Sequence, residues 1–339
     1  MSILNNISLK PYNTFGIDVM AEQFAGFESQ AELVYILEQA KTTTPTLVLG
    51  GGSNILLTKD VQGLVLKNEI KGIKILEETD DYVLVQAGAG EIWHPFVRKC
   101  IEKNYSGIEN LSLIPGCVGA SPMQNIGAYG VEIKDIFYSL DAYHLQDKRV
   151  DTIKKEDCNF GYRESAFKRK WKGEYIILNV TYKLSKHPQF HVEYGAIKEE
   201  LEKMQIDNLS IKAISDAIIN IRSSKLPDPK IIGNAGSFFK NPTIEKTQFE
   251  KLKSVFPHIK GFTIEGNIDK IKVAAGWLIE QAGWKGFREK DYGVHKNQAL
   301  VLVNYGSATG AQVFDLSTRI IHSIEDKFGI TLEREVNIL

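Results

Sequence analysis

Cysteine is nearly absent from this 339-residue chain: Cys100, Cys117 and Cys158 are its only three. No two stand at the short spacing of a zinc knuckle or redox pair, so reduced thiols in a cytoplasmic protein are expected. Histidine is also scarce, seven residues scattered without an H-E-x-x-H helix, and no metal site is expected. No apolar run approaches the roughly 20 residues that span a bilayer. Residues 1–12 lack the basic, apolar and small-residue succession of a secretory leader, so neither membrane nor export is expected. Charge of one sign is missing too: 41 basic against 42 acidic side chains leave −1, without the positive field that duplex-binding proteins use, which excludes nucleic acid as the expected partner. Chemistry must come from an organic cofactor or from carboxylate, hydroxyl and guanidinium groups.

What is present is ordinary for a globular chain, 43% hydrophobic and 24% charged, and the length calls for two or three domains. Residues 30–41 carry Leu33, Ile36, Leu37 and Ala40, the stripe of a one-sided helix. A short strand over 46–49 runs into glycines and resumes at 55–57; 73–78 and 82–87 form a hairpin, and 92–103 a helix. Residues 136–144 and 175–184 read as strands, being rich in β-branched and aromatic side chains. Ile211, Ile214, Ile218 and Ile221 mark a helix that stops at Lys225-Leu226-Pro227-Asp228-Pro229, a stiff connector and candidate boundary. Helical stripes follow at 246–256 and 271–282, then a strand at 299–304. A long helix closes the series, with Val313, Leu316, Ile320, Ile321, Ile324 and Phe328 inward.

Five segments stand apart from this periodic core. Gly50-Gly51-Gly52-Ser53-Asn54 ends a strand; it is either a tight turn or a nest of amides for an anion, and no Walker lysine or G-x-G-x-x-G spacing accompanies it. Residues 114–130, Ile-Pro-Gly-Cys-Val-Gly-Ala-Ser-Pro-Met-Gln-Asn-Ile-Gly-Ala-Tyr-Gly, form a long loop of little bulk, of the kind that wraps a ligand. Two backbone-rich loops suit an extended ligand with a diphosphate centre. Arg163, in Phe160-Gly161-Tyr162-Arg163-Glu164-Ser165, either presents a planar fork to an anion or pairs with Glu164 at the surface. Ser237 lies among small and amide residues before Phe238 and Phe239; no G-x-S-x-G elbow is present, which argues against a triad hydrolase. Glu333-Arg334-Glu335 sits so near the end that a frayed, solvated tail is expected from position alone.

In this order the segments resemble the UDP-N-acetylenolpyruvoylglucosamine reductases. The likeness is carried by NTFGI at 13–17, LGGGSNIL at 49–56, IPGCVGASPMQNIGAYGVE at 114–132, FGYRES at 160–165, KLPDPKIIGNAGSFFKNP at 225–242, AAGWLIEQAG at 274–283 and GVHKNQALVLVN at 293–304. It spans essentially the whole chain. The resemblance implies an α+β fold: an FAD-binding part of the vanillyl-alcohol-oxidase/PCMH type in two subdomains, residues 1–70 and 71–205, and a substrate-binding domain over 206–330. Residues 331–339 would return to the active site.

The resemblance further implies reduction of an enolpyruvyl sugar nucleotide in peptidoglycan precursor synthesis, with FAD as cofactor and NADPH as hydride donor. FAD would be held by Gly50, Gly51, Gly52, Ser53, Asn54, Pro115, Gly116, Gly119, Ala120, Ser121, Gln124, Asn125, Gly127, Ala128 and Tyr129. Some relatives of this flavin fold bond FAD to His or Cys in the glycine loop; Gly52 and Ser53 stand there, so dissociable FAD is expected. Arg163, Ser237 and Glu335 are the implied catalytic residues. Tyr194, in an insert that looks like the tyrosine loop of the longer subclass, joins Lys225 and Asn241 as implied substrate contacts. The family's C-terminal carboxylate usually follows proline, whereas Arg334 precedes Glu335 here, a basic neighbour able to lower its pKa. The role is assigned to Glu335 rather than Glu333 because Val336 follows it. A monomer is expected. The competing readings are a sugar or lactone oxidase of the same flavin fold and a non-catalytic nucleotide-sugar-binding protein.

Overall fold

A computed structural model of the chain describes residues 2–40, 45, 47–264 and 266–339. Lys41 and Thr46, at the edges of the expected first helix and strand, lie outside the described residues. The chain divides into two compact units, one of residues 1–7, 21–51 and 61–224, the other of residues 8–20, 52–60 and 225–339.

Two large sheets build the first unit. One runs in the order Leu4–Ser8, Met20–Phe27, Val61–Asn68, Leu47–Leu49, the last three strands mutually parallel. Helix Gln30–Gln39 follows Met20–Phe27, started by Ser29, whose hydroxyl accepts the Glu32 amide at 3.2 Å. Its Leu33, Ile36 and Leu37 pack with Phe27, Leu64 and Leu66, so the apolar stripe read from the sequence is the face that covers the sheet. The other sheet is antiparallel: Arg149–Lys154, Phe137–His144, Tyr175–Ser185, Tyr82–Gly88, Ile73–Glu78. Helix Trp93–Glu102 buries Trp93, Phe96, Val97, Cys100 and Ile101 against it, with Tyr182 5.7 Å from Trp93 and 5.3 Å from Phe96 between ring centres. The insert before the proline connector forms helix Gly195–Lys203, whose Ile197 packs on Ile214, Ile218 and Ile221 of helix Ile211–Lys225. That packing keeps the isoleucine-striped helix with the first unit up to Ser224, whereas the expected substrate domain starts at residue 206.

In the second unit Gly233–Ser237, Val301–Asn304, Tyr292–Val294 and Arg288–Glu289 form an antiparallel sheet. Helix Gly310–Phe328 starts in a capping box of Thr309 and Gln312 and stops at Gly329, which takes the left-handed conformation (φ 63°). Val313, Leu316, Ile320, Ile324 and Phe328 are buried; Ile321 is half-buried at the edge of that face.

Two expectations are corrected here. Residues 271–282 are not one helix: Ile271 and Val273 belong to strand Asn267–Val273, with Ile271 opposite Ile244, and the helix is confined to Ala275–Gln281. The tail does not fray. Asn337–Ile338 pairs in parallel with Ile55–Leu56, and the Leu339 carbonyl accepts the Thr58 amide at 2.7 Å.

Candidate active site

The two glycine-rich loops, far apart in sequence, lie against each other in the first unit. A Cβ on Gly51 would fall 2.8 Å from the Gly116 Cα, and one on Gly50 would touch the Cys117 side chain at 3.4 Å. Glycine is required at 51 because the neighbour is backbone, which cannot swing away. The Gly50 carbonyl accepts the Lys67 ammonium. By contrast, the amides of Gly50, Gly51 and Gly52 enter none of the hydrogen bonds among the described residues. Unclaimed N–H groups on successive residues at a strand end are the donor set that a diphosphate takes. The loop therefore fits the cofactor that the sequence leads one to expect.

Residues 114–130 sort into an inner and an outer row. Ser121 bonds the Tyr182 hydroxyl at 2.7 Å in the core, and the Gly119 amide reaches the Ala89 carbonyl at 2.9 Å. Asn125, fully buried, donates to Glu132 and to the Gly161 carbonyl, both at 3.0 Å, and accepts the Lys134 amide at 2.9 Å. These side chains hold the loop's shape. Pro115 and Ala120 are exposed, and Gly116, Gln124, Gly127, Ala128 and Tyr129 half-buried, forming the row left to face a ligand. Tyr129 and Gly130 both have positive φ (49° and 85°), closing a tight hairpin between Gly127–Ala128 and Val131–Glu132.

Arg163 sits at the tip of a second tight hairpin, in which Gly161 and Glu164 exchange hydrogen bonds of 3.0 and 3.2 Å. Its φ of 56° is a left-handed conformation uncommon for a side chain of this size, a local strain of the kind found where a group must be aimed. The guanidinium donates to the Gly127 carbonyl at 2.9 Å and stacks over Tyr162 at 5.4 Å. The Glu164 carboxylate takes Arg169 at 3.0 Å.

Sequence reasoning missed Arg222. It donates to the Leu113 carbonyl at 3.3 Å, and burial holds its guanidinium below the ordinary value, with the Tyr129 hydroxyl opposing the shift and the Arg163 charge adding to it. Two neighbouring cations beside a half-buried phenol suit an anionic ligand. The available signal was a lone arginine one residue after Ile221 on an otherwise apolar helical face. Tyr194, half-exposed at the start of helix Gly195–Lys203, meets Tyr129 edge-on with ring centres 5.8 Å apart.

In the second unit, the NTFGI segment is structural. Asn13 donates to the Leu9 and Ile17 carbonyls at 2.8 and 2.9 Å, and the Thr14 and Phe15 carbonyls accept from Asn234 and Asn304. Gly52 (φ 59°) is pressed on this segment, for a Cβ there would lie 2.0 Å from the Tyr12 carbonyl oxygen. Ser237 ends strand Gly233–Ser237 opposite Val301, and its hydroxyl joins no hydrogen bond among the described residues. The tail runs beside it: the Glu335 amide donates to the Phe238 carbonyl at 2.8 Å, and the Lys240 amide to the Glu333 carbonyl at 2.9 Å. Asn54 donates to the Glu335 carbonyl at 3.3 Å.

The two candidate carboxylates lie in different settings. Glu333 is exposed and salt-bridged to Lys240 at 2.6 Å, whereas Glu335 is half-buried, directly alongside the Ser237 strand end. Arg334 turns away toward helix Gly310–Phe328, donating to Ser317 and Thr318 at 2.7 Å and stacking on Phe314 at 4.5 Å. Asn241 uses its oxygen to accept the Ala275 amide at 3.0 Å at the start of helix Ala275–Gln281, and Lys225 is exposed. Among the described residues no group of three or more His, Cys, Asp or Glu is placed to hold a metal ion, and no helix is long and apolar enough to cross a membrane.

The FAD binding domain family matches residues 21–149, and the C-terminal domain family of UDP-N-acetylenolpyruvoylglucosamine reductase matches residues 228–339. The reductase of Flavobacterium johnsoniae is 50% identical over all of both chains, and that of Pseudomonas aeruginosa 48% identical over all of this chain and 99% of its own. The crystal structure of the Thermus caldophilus reductase superposes with a TM-score of 0.68 at 24% identity, covering 100% of this chain and 99% of that one, and so supports the fold. With an FAD-binding part followed by the reductase C-terminal domain, and full-length identity at this level, the chain belongs to the UDP-N-acetylenolpyruvoylglucosamine reductase family.

Proposed function

We infer that this chain reduces UDP-N-acetylglucosamine enolpyruvate to UDP-N-acetylmuramate at the expense of NADPH, a step of peptidoglycan precursor synthesis. Bound FAD would supply the redox chemistry that no amino-acid side chain stores, passing a hydride from NADPH to the terminal carbon of the enol ether. The amides of Gly50, Gly51 and Gly52, with the outer row of residues 114–130, hold the cofactor without a covalent bond. The substrate carboxylate takes up negative charge as the hydride arrives. Arg163, pre-aimed by its hairpin, stabilises that charge, and Glu335 in its protonated form donates a second hydrogen bond to the same group. Ser237 delivers the proton to the carbon next to the carboxylate; a hydroxyl is a weak acid and serves because that carbon has become strongly basic. Tyr194, Lys225 and the amide hydrogens of Asn241 bind the sugar-nucleotide diphosphate.

The geometric observation that carries this reading is the register of the tail, which sets Glu335 beside the strand end bearing Ser237 and leaves Glu333 facing Lys240. The protein works as a cytoplasmic monomer, without nucleic acid or membrane as partner, and through the cell wall its reaction bears on cell shape and division. The test is product analysis under turnover. NADPH oxidation that depends on the enolpyruvyl nucleotide, with a product two hydrogens heavier by mass, is the expected result. Oxygen consumption with a sugar or lactone substrate would instead establish the oxidase reading.

A further inference from the structure

Asn110 lies in a short turn, Glu109–Leu111, and is 1% exposed. Its two amide hydrogens go to two different segments: the Tyr129 carbonyl at 3.0 Å and the His191 carbonyl at 2.9 Å. Both partners are carbonyls, so only the NH2 edge can face them and the amide has one possible orientation. Its oxygen is buried with no hydrogen-bond partner among the described residues, as is Glu109 Oε1 beside it. A buried acceptor left unpaired is a liability that calls for an explanation, and the two donations supply one. The turn is itself bolted down. Trp93 donates to the Leu111 carbonyl at 2.8 Å, and Ser112 bonds Ser215 of helix Ile211–Lys225 at 2.8 Å; Arg98 reaches the same Ser215 at 3.0 Å.

We propose that Asn110 is a positioning residue for the sugar nucleotide: it ties the Tyr194-bearing segment, through His191, to the cofactor-side hairpin, through Tyr129, and so fixes the edge-on pair Tyr129–Tyr194. This rests on the proposed function in that it takes Tyr194 as a substrate contact. Asn110, 1% exposed and with its amide hydrogens spent on the Tyr129 and His191 carbonyls, acts through Tyr194 rather than on the ligand. Residues 188–194 contain no helix or strand; Phe190 and Val192 are half-buried against neighbouring core clusters, and Tyr194 meets Tyr129. Without the strut, Tyr194 keeps its helix but loses the anchor three residues before it.

The test uses the full-length, FAD-loaded protein and two variants. Asn110→Asp keeps the shape but turns an oxygen toward both carbonyls; Asn110→Leu is neutral and carries the test if the aspartate variant does not fold. Chymotrypsin cleavage after Phe190, identified by fragment mass, should be slow in the wild type and about tenfold faster or more in the variants. In steady state, KM for the enolpyruvyl sugar nucleotide should rise about tenfold while kcat changes by less than about threefold, the pattern of lost binding rather than lost chemistry. Wild-type cleavage as fast as in the variants, or a KM equal to wild type in a folded variant, overturns the proposal. If the wild type does not turn over the enolpyruvyl nucleotide, the functional reading fails while cleavage after Phe190 still decides the strut.

Discussion

Ser237 is the residue on which the proposed chemistry turns, and its hydroxyl is uncommitted among the described residues. Replacing Ser237 with Ala should leave flavin reduction by NADPH near the wild-type rate and slow reoxidation by the enolpyruvyl nucleotide by about 10²–10⁴-fold. Equal losses in the two half-reactions, measured by stopped-flow absorbance, would contradict the assignment. Glu109 offers a test of a different kind. Burial raises its carboxyl above the ordinary range, against the lowering effect of backbone amides at 107–109 and of His191. The folded protein thus holds this proton more tightly than the unfolded chain, and the stability contributed by the site falls as pH rises from the ordinary carboxyl range toward the raised value. Glu109→Gln has no such proton. Its melting temperature minus that of the wild type should grow with pH across that window; a difference flat in pH would count against a buried carboxyl with a raised pKa.

Among the elements, the glycine contacts and the tail carry the sharpest consequences. Gly51→Ala forces a methyl group to 2.8 Å from the Gly116 Cα. Overpacking of this sort costs about 1–3 kcal/mol, and here it also spreads the two loops proposed to hold the cofactor. A lower melting temperature together with weaker FAD retention on gel filtration is expected; full retention at wild-type stability would mean that the loops do not depend on this contact. Deleting residues 337–339 removes the pairing with Ile55–Leu56 and the Thr58 bond. The tail should then fray back through Glu335, so that reoxidation by the substrate slows more than reduction by NADPH, read in the same two half-reactions.

Elements whose partners are local were legible in the sequence. The helices Gln30–Gln39, Trp93–Glu102 and Gly310–Phe328 and the hairpin Ile73–Glu78 with Tyr82–Gly88 follow from apolar period and turn chemistry. The tail was not, because its order comes from a strand some 280 positions earlier, and no local period records such a partner. Strand Asn267–Val273 ran into helix Ala275–Gln281 without a break in hydrophobicity, which hid the switch from one period to the other. In the candidate site, Arg163, Ser237 and Glu335 were reached through resemblance. Composition could not foretell that Ser121 and Asn125 face the core, that Arg222 joins Arg163 and Tyr129, or that Asn110 braces the insert, since each of these depends on what a side chain meets across the fold.

Taken whole, the chain assigns Gly50, Gly51, the loop 114–130, Arg163 and Tyr194 to one compact unit, and Gly52, Ser237, Glu335 and Asn241 to the other. The glycine run changes unit after Gly51, and the tail pairs with the strand just beyond it. All three thiols are free and buried; burial pushes Cys100 and Cys158 up to about 12 and raises Cys117, so none supplies a thiolate for chemistry. Reversible cycling of a bound flavin is the central requirement of the proposed reaction. In anaerobic stopped-flow, the FAD-loaded protein should lose its visible flavin band on mixing with NADPH and regain it on mixing with the enolpyruvyl sugar nucleotide. A band that bleaches with NADPH but returns only when oxygen is admitted, with the nucleotide having no effect, would contradict the account.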